Sequence, residues 1–555
     1  MRNTNMSLNK SLKIRSYHFT GLLTFYYVFI LNAALIFHAY LFIRQQESFV
    51  AALGLLLVFI VFICLLAWCL LSLCSIRWIE KPFFIILTNL SAILAYFYVY
   101  YGVIFYDNSP IVRAILQTDL HEMKEFLKPS LLVWVLFFGV LPSYLIYQID
   151  IVRGHRKIEW IWKLLGVMCY PLFYIVTLLP TNPIFQPMLV LSGITAKPPY
   201  QIIPTNFFEN VAKHLISSTH FHVPYRIIGS DATQQKKIPS LKPDLLVLVI
   251  GEAARSQNFS LNGYSRITNP YTTKQEIISF KNVSSCSTLT WVSVPCLFSG
   301  EGRGKFIPMM SNYQDNLLDI IKRVGISTFW IDNNGAGDCQ GVCERIRHII
   351  LHDLDGMVAE TFKHSISQLS HQDAVVVLHL HGSHGPDYFE KYPVAFSFFK
   401  PECRKNEFRL CSQQTLLNAY DNSILYSDYV LNNVIETLKQ FSTHWNTALI
   451  YTSDHGESIG EGNRYGHGMP YFMAPKTQTQ VPFFIWMSDG FRDEKKLNVQ
   501  CLENKANHES ISHDYFFHSV LGVLNIKTSI YQPKLDLFKS CQTPLYKQQL
   551  SLRKS

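Results

Sequence analysis

Apolar positions run in long unbroken blocks at the start of the chain and in short, spaced runs after it, so two kinds of structure are expected. Before residue 180, five stretches are each apolar over the roughly 20 residues that a helix needs to cross a bilayer: 19–43, 49–74, 83–106, 131–149 and 160–179. Pro142 and Pro171 fall inside two of them, and a helix bundle can re-satisfy the carbonyls that a proline frees. Residues 181–240 are Pro-rich and irregular except for 206–217, where Phe207, Phe208, Val211 and Leu215 share one helical face. That segment fits either a tether along the membrane surface or a helix packed on a globular body. After it, short apolar runs at 245–250, 326–331, 374–380, 447–452 and 481–487 alternate with helical patterns, notably 315–324 and 414–441. This alternation predicts an α/β domain with a mostly parallel sheet covered on both faces. The expected organisation is a five-helix membrane domain over 1–180, a linker with a bridging helix over 181–240, and a catalytic domain over 241–555.

Composition supports that division. The chain has 555 residues, 49% hydrophobic and only 16% charged, which is too apolar for two soluble domains. The net charge of +9 gathers into no basic stripe interleaved with aromatics, so nucleic acid is not an expected partner. The basic residues follow topology instead. Arg2, Lys10, Lys13 and Arg15 precede the first span, Arg77 and Lys81 fill the second loop, and Arg153, Arg156 and Lys157 fill the fourth. Those are the cytoplasmic sides by the positive-inside rule, and an odd number of spans then exports everything beyond residue 180. The first span is too long for the core of a cleaved signal and lacks a small-residue cleavage site, so it is expected to stay as an anchor.

Cysteine usage tests the orientation separately. Cys64, Cys69, Cys74 and Cys169 lie in apolar spans, where a thiol is a small apolar side chain. The other eight fall after residue 180 in close-spaced sets, Cys286 with Cys296, Cys339 with Cys343 and Cys403 with Cys411, leaving Cys501 and Cys541. An even number in an oxidising compartment predicts disulfides, and the absence of any C-x2-C pair argues against a zinc ribbon.

The chemistry sits just after the predicted strands. Gly251-Glu252 follows the first, His381-Gly-Ser-His384 the third, and Ser453-Asp454-His455-Gly456 the fourth. In open α/β sheets ligands bind at the carboxyl ends of strands. Glu, Asp and His together form the donor set of a catalytic zinc, whereas carboxylates and carbonyls alone would suggest magnesium or calcium. Asp454 and His455 can reach one ion if the chain turns sharply, which Gly456 would permit. Between the first two site segments, residues 284–296 are dense in hydroxyls and bracketed by Cys286 and Cys296. A hydroxyl beside a metal is an activated nucleophile, and composition leaves Ser287, Thr288, Thr290 and Ser293 as candidates.

The chain resembles the lipid A phosphoethanolamine transferases, which include the mobile colistin-resistance enzymes and belong to the alkaline phosphatase and sulfatase superfamily. The resemblance covers nearly the whole chain. It is carried by Gly251-Glu-Ala-Ala-Arg255 with Asn262-Gly-Tyr264, and by Cys286-Ser-Thr-Leu-Thr290 with Ser293-Val-Pro-Cys296. Asp332-Asn-Asn334 near Cys339-Gln-Gly-Val-Cys343, Gly382-Ser-His-Gly-Pro386 and Ser453-Asp-His-Gly-Glu457 complete it. It implies an alkaline-phosphatase-like exported domain, with Thr290 as nucleophile and Glu252, Thr290, Asp454 and His455 around a tightly bound zinc. His384 and His467 match histidines assigned to the substrate phosphate, to a second zinc or to proton transfer. Asn334, Thr118 and Glu122 match substrate-binding residues, the last two linked to ethanolamine.

The implied reaction moves phosphoethanolamine from phosphatidylethanolamine to Thr290 and then to lipid A or the lipopolysaccharide core. It would occur at the periplasmic face of a bacterial inner membrane, lowering negative surface charge and favouring resistance to cationic peptides and polymyxin. The chain departs from the pattern at Ala253, where many relatives carry Thr, at Gln340, where relatives carry a lysine that contacts the phosphate, and at Ala114, where an asparagine is expected. Rival readings are a glycerol-phosphate transferase or sulfatase-like hydrolase, though a sulfatase needs a C-x-P-S-R context that is absent. A membrane sensor or assembly factor with an inactive zinc site is opposed by the full set of ligands and Thr290.

Overall fold

In the computed structural model the described residues are 12–37, 40, 48–101, 129–153, 160–161, 163–164, 168, 202–204, 224–235, 242–334, 339, 341–369, 371–405, 410–469, 471 and 474–542. They fall into two compact units, Met1–Phe221 and His222–Ser555. The first is helical. Among the described residues, two of its helices are long and apolar enough to cross a membrane, α1 (Phe49–Cys74) and the run Pro129–Gln148. Between them in the chain lies α2 (Glu80–Tyr101). An earlier helix, Ser16–Phe25, continues through a π-helical turn, Tyr26–Leu31. The expected spans at 49–74, 83–106 and 131–149 thus coincide with helices over their described parts, the span at 19–43 is helical at its start, and 160–179 lies almost wholly outside the described residues. The amphipathic segment 206–217 lies outside them entirely.

Leu57 and Leu73 of α1 and Phe137 and Leu145 of the fourth apolar run are exposed, as side chains facing lipid would be. Polar contacts join the helices inside. Asn89 Nδ2 donates to Ser143 Oγ (2.8 Å), Trp134 Nε1 to the Ala92 carbonyl (2.9 Å), and Tyr27 and Thr88 share a hydroxyl hydrogen bond. Such pairs hold helices together where lipid gives no hydrophobic drive. The basic segments meet at one end: Leu12–Arg15 pairs in parallel with Ile149–Val152, Lys81 donates to the Tyr147 carbonyl, and Arg153 pairs with the buried Glu80 at 2.6 Å.

The second unit is built on a seven-stranded sheet. Its strands are β1 (Asp244–Gly251), β2 (Ile278–Phe280), β3 (Ser327–Asp332), β4 (Arg347–Ile350), β5 (Ala374–His379), β6 (Asn446–Ser453) and β7 (Phe483–Met487). The order is β2-β7-β6-β1-β5-β3-β4, parallel except for β7, which runs antiparallel to both of its neighbours, β6 and β2. Every residue of β1, β5, β6 and β7 is buried, which is why these strands read as continuous apolar runs rather than alternating ones. A 29-residue helix, α3 (Gln413–Phe441), packs on the sheet, capped at its start by the Ser412 hydroxyl. The edge strands β2 and β4 were not anticipated. They have three and four residues, too few for a pattern to stand out.

Disulfides join Cys286 to Cys296, Cys339 to Cys343, Cys403 to Cys411 and Cys501 to Cys541, so the proximity sets pair as expected and the two remaining cysteines find each other. Cys64, Cys69 and Cys74 are free thiols; Cys169 lies outside the described residues.

Candidate active site

The central pair of strands supplies the acidic centre. β1 and β6 are parallel neighbours with Gly251 opposite Ser453, so the residues that follow, Glu252 and Asp454, emerge side by side at the carboxyl edge. Glu252, Asp454 and His455 are all fully buried, and one donor atom from each lies within 4.8 Å of the others. Backbone donors fix Asp454: Oδ1 accepts from the amides of Ala253 (3.1 Å) and His455 (2.7 Å). Ala253 itself sits at φ +54°, a left-handed conformation that a non-glycine residue adopts at a cost of about 1–3 kcal/mol, next to the site. Gly456 is needed for space, since a Cβ there would lie 2.2 Å from the Thr477 carbonyl oxygen.

Thr290 is the hydroxyl that reaches this centre. Its Oγ1 is 3.2 Å from each oxygen of Glu252 and 3.1 Å from His455 Nε2. It begins a short helix, Thr290–Leu297, whose amino end favours a negatively charged group. The segment is held from three sides. The Cys286–Cys296 disulfide brackets it, Ser293 Oγ donates to the Asp454 carbonyl (2.6 Å), and the Cys286 amide donates to Nδ1 of the buried His513 (3.1 Å). His513 Nε2 in turn meets Thr452 Oγ1 of β6 at 3.2 Å, and burial keeps that ring neutral, with its pKa pushed down to about 3. Of the other hydroxyl candidates, Thr288 donates to the Met469 carbonyl, Ser287 accepts from the Leu289 amide, and Ser293 is committed as above.

The electrostatics show a centre short of positive charge. Burial, with the neighbouring charge of Glu252, raises the Asp454 carboxyl to about 7. Burial opposes charge on His455 as well, but Asp454 and Glu252 outweigh it and lift the imidazole to about 10. Glu252 is held well below the usual carboxylate range: burial works against ionisation, and the His455 imidazolium beside it prevails. Asp454 Oδ2, fully buried, accepts no hydrogen bond among the described residues. His455 Nδ1 meets the Gly456 carbonyl at 3.0 Å, which leaves Nε2 facing Thr290, Glu252 and Asp454. Two carboxylates, one imidazole nitrogen and a hydroxyl converging on a point with an orphaned oxygen fit a four-coordinate zinc.

A second group lies beside this one. His384, in the turn after β5, and His467 have ring centroids 5.5 Å apart, and His467 and His455 4.2 Å. Burial keeps His384 and His381 uncharged, with pKa values pushed down to about 3. The turn that carries them is fixed by buried Asp355, which accepts from the amides of His381 (2.9 Å) and Gly382 (2.8 Å). Gly382 is required there, because at φ +55° a Cβ would also press on the Glu252 backbone at 2.7 Å. His467 Nδ1 is 3.0 Å from Glu457 Oε2.

The structure therefore brings together Glu252, Thr290, Asp454, His455, His384 and His467, and places Asn334 against Glu252, to which its Nδ2 donates at 2.7 Å. Thr118, Glu122, Ala114 and Gln340 lie outside the described residues. His513, Asp355 and Glu457 were not singled out from the sequence. Only Glu457, inside the Ser453–Glu457 motif, carried a signal that could have flagged it.

Comparison with known proteins gives two family models in tandem: phosphoethanolamine transferase EptA/EptB over residues 62–218, and sulfatase over residues 244–526. The phosphoethanolamine transferase EptA of Escherichia coli K12 is 32% identical over 85% of this chain and 87% of its own. The phosphatidylethanolamine transferase Mcr-1 of Escherichia coli is 32% identical over 74% of this chain and 79% of its own. Among solved structures, the integral membrane lipooligosaccharide phosphoethanolamine transferase A of Neisseria meningitidis superposes with a TM-score of 0.87 at 29% identity, covering 96% of this chain and all of that one.

Proposed function

The chain belongs to the phosphoethanolamine transferases, and from that membership we propose that it carries phosphoethanolamine from phosphatidylethanolamine to lipid A or the lipopolysaccharide core by way of Thr290. The observation that carries this reading is the placement of Thr290 Oγ1 within 3.2 Å of Glu252 and His455 at a helix amino end.

Glu252, Asp454, His455 and the Thr290 hydroxyl would hold a zinc ion. When bound, it supplies Lewis-acid charge that lowers the hydroxyl pKa and neutralises phosphoryl oxygens. The Thr290 oxygen attacks the donor phosphorus, the bond from phosphorus to the glycerol oxygen breaks, and phosphoethanolamine remains esterified to Thr290. The Thr290 proton passes to the histidine group, where His384 and His467 lie beside the centre, and from there to the leaving diacylglycerol oxygen. An oxygen of the acceptor then attacks the same phosphorus, and its proton returns through that group to the Thr290 oxygen, restoring the threonine. Phosphoryl transfer asks mainly for positioning and charge neutralisation, which this buried, tightly hydrogen-bonded centre provides. The same histidines could hold a second zinc. Asn334 would orient Glu252 near the substrate phosphate, and Thr118 and Glu122 would bind ethanolamine.

The organisation that serves this reaction is a membrane domain of five helices over 1–180, a linker with a bridging helix over 181–240, and a periplasmic catalytic domain over 241–555. The basic segments that meet at one end of the first unit support the orientation. Mass spectrometry of lipopolysaccharide from cells expressing the protein tests the reading. A gain of one phosphoethanolamine, located by fragmentation and lost in Thr290→Ala, is expected; an unchanged gain in Thr290→Ala would refute it.

A further inference from the structure

Asp332, at the end of β3, stands opposite His379, at the end of β5, and His379 stands opposite Ile250 of β1, two residues before Glu252. Register thus sets an acid, an imidazole and the metal-type carboxylate in a row across three strand ends. His379 Nδ1 faces Asp332 Oδ1 at 3.2 Å, and both side chains are buried. On the other side of the ring, His379 Nε2 is 3.0 Å from Asn334 Nδ2, the same nitrogen that donates to Glu252 Oε2 at 2.7 Å. The Asn334 amide donates along its backbone to Asp332 as well, at 2.8 Å.

The chemistry of these contacts suits one arrangement of protons. The Asn334 nitrogen faces a carboxylate, so it must be the NH2 side of the amide, since an oxygen there would oppose the Glu252 charge. Its second hydrogen then needs an acceptor, and His379 Nε2 is one only if the ring proton is on Nδ1, the nitrogen that faces Asp332. With Oε2 of Glu252 occupied in this way, Oε1 is the oxygen 3.2 Å from His455 Nε2.

We propose that Asp332 and His379 are positioning residues that orient Asn334 and, through it, present Glu252 to the metal by a single oxygen. This rests on the reading of Glu252, Asp454 and His455 as metal ligands. Hydrogen-bonded partners behind metal ligands carry about 10–100-fold in metal affinity, and the lower part of that range is expected for residues acting through an intermediate amide.

Zinc affinity of the full-length, detergent-solubilised protein, measured by competition with a chromophoric chelator, tests it. Asp332→Asn keeps the volume of the side chain but can turn an NH2 toward His379 Nδ1, moving the ring proton to Nε2, where it meets the Asn334 amide donor to donor. Asp332→Asn and His379→Ala are each expected to weaken zinc binding about tenfold. Neither should add to Asn334→Ala, because residues acting in series are non-additive. Near-ultraviolet circular dichroism of the metal-free variants checks the fold, and if His379→Ala does not fold, Asp332→Asn carries the test alone. Additive losses, or zinc affinities within twofold of wild type in variants where Asp454→Asn does weaken binding, overturn the proposal and leave the proposed function standing. If Asp454→Asn also binds zinc like wild type, the ligand reading itself fails and the proposal falls with it.

Discussion

The two ends of the central strand pair handle buried charge in opposite ways. At the amino end of β1, fully buried Asp244 is answered by Lys495, whose Nζ lies 2.6 Å away and is itself buried. At the carboxyl end, Glu252 and Asp454 are just as buried, yet among the described residues the ion-pair partner of both is His455 alone, and Asp454 Oδ2 is left without a hydrogen bond. A buried carboxylate paired with a cation of the same chain serves the fold. One whose compensating charge must come from outside serves a ligand, and the fold bears its cost when that ligand is missing.

The largest expected effect separates the two ends by activity. Asp454→Asn should lower transfer by about 10^3-fold or more, since several kcal/mol of charge stabilisation would be lost at the reacting phosphoryl group. Lys495→Met should leave the turnover of the folded protein unchanged, as measured with a headgroup-labelled phosphatidylethanolamine in detergent. Equal losses would erase the distinction.

Stability should show the reverse. Lys495→Met strands the Asp244 charge and is expected to destabilise the second unit by about 3–5 kcal/mol in denaturant unfolding. Asp454→Asn in chelator-treated protein removes a carboxylate that burial and Glu252 already disfavour as an anion. It should therefore stabilise the metal-free protein at pH 8 by on the order of 1–3 kcal/mol. If Asp454→Asn destabilises there, the carboxyl end is not short of cation and the contrast fails.

How much of this could be read in the sequence follows the same divide. Runs such as 245–250 and 447–452 announce fully buried parallel strands, and the Glu, Asp and His residues that follow them mark the edge where a ligand sits. Asp244 and Lys495 gave no sign of belonging together, because 251 residues separate them and only the packing of Asp489–Glu494 beside β6 brings them to contact. The link from Asp332 to His379 was equally hidden, since it depends on strand register, which no local pattern encodes. Gly456 illustrates a subtler limit: the residue was singled out for the turn after β6, but the approach of the Thr477 carbonyl comes from packing that the local sequence does not show.

A fourth buried carboxylate sharpens the comparison with the smallest effect. Asp428, on α3, has no cation among the described residues and instead accepts from the amides of Tyr271 (2.8 Å) and Thr272 (3.3 Å), from Asn269, and from the Thr272 hydroxyl. Burial outweighs those donors and raises its pKa to about 6. A folded-state value above the unfolded one means that its contribution to stability is present below about pH 4 and is lost as pH rises through about 6. The melting temperature of wild type relative to Asp428→Asn should therefore decline over that window, by the equivalent of on the order of 1–2 kcal/mol. A flat difference would show that dipoles alone can replace a cation in this fold.

The central claim is that the cation-poor end of the strand pair esterifies its own threonine, and it can be tested in one acid-quenched reaction. Purified protein is mixed with phosphatidylethanolamine in the absence of acceptor, digested, and the peptide spanning 284–297 is sequenced by tandem mass spectrometry. Phosphoethanolamine on Thr290, absent from chelator-treated protein, is the predicted result. The group on Ser287, Thr288 or Ser293, or no adduct from protein that turns over equally well in chelator, would contradict the account.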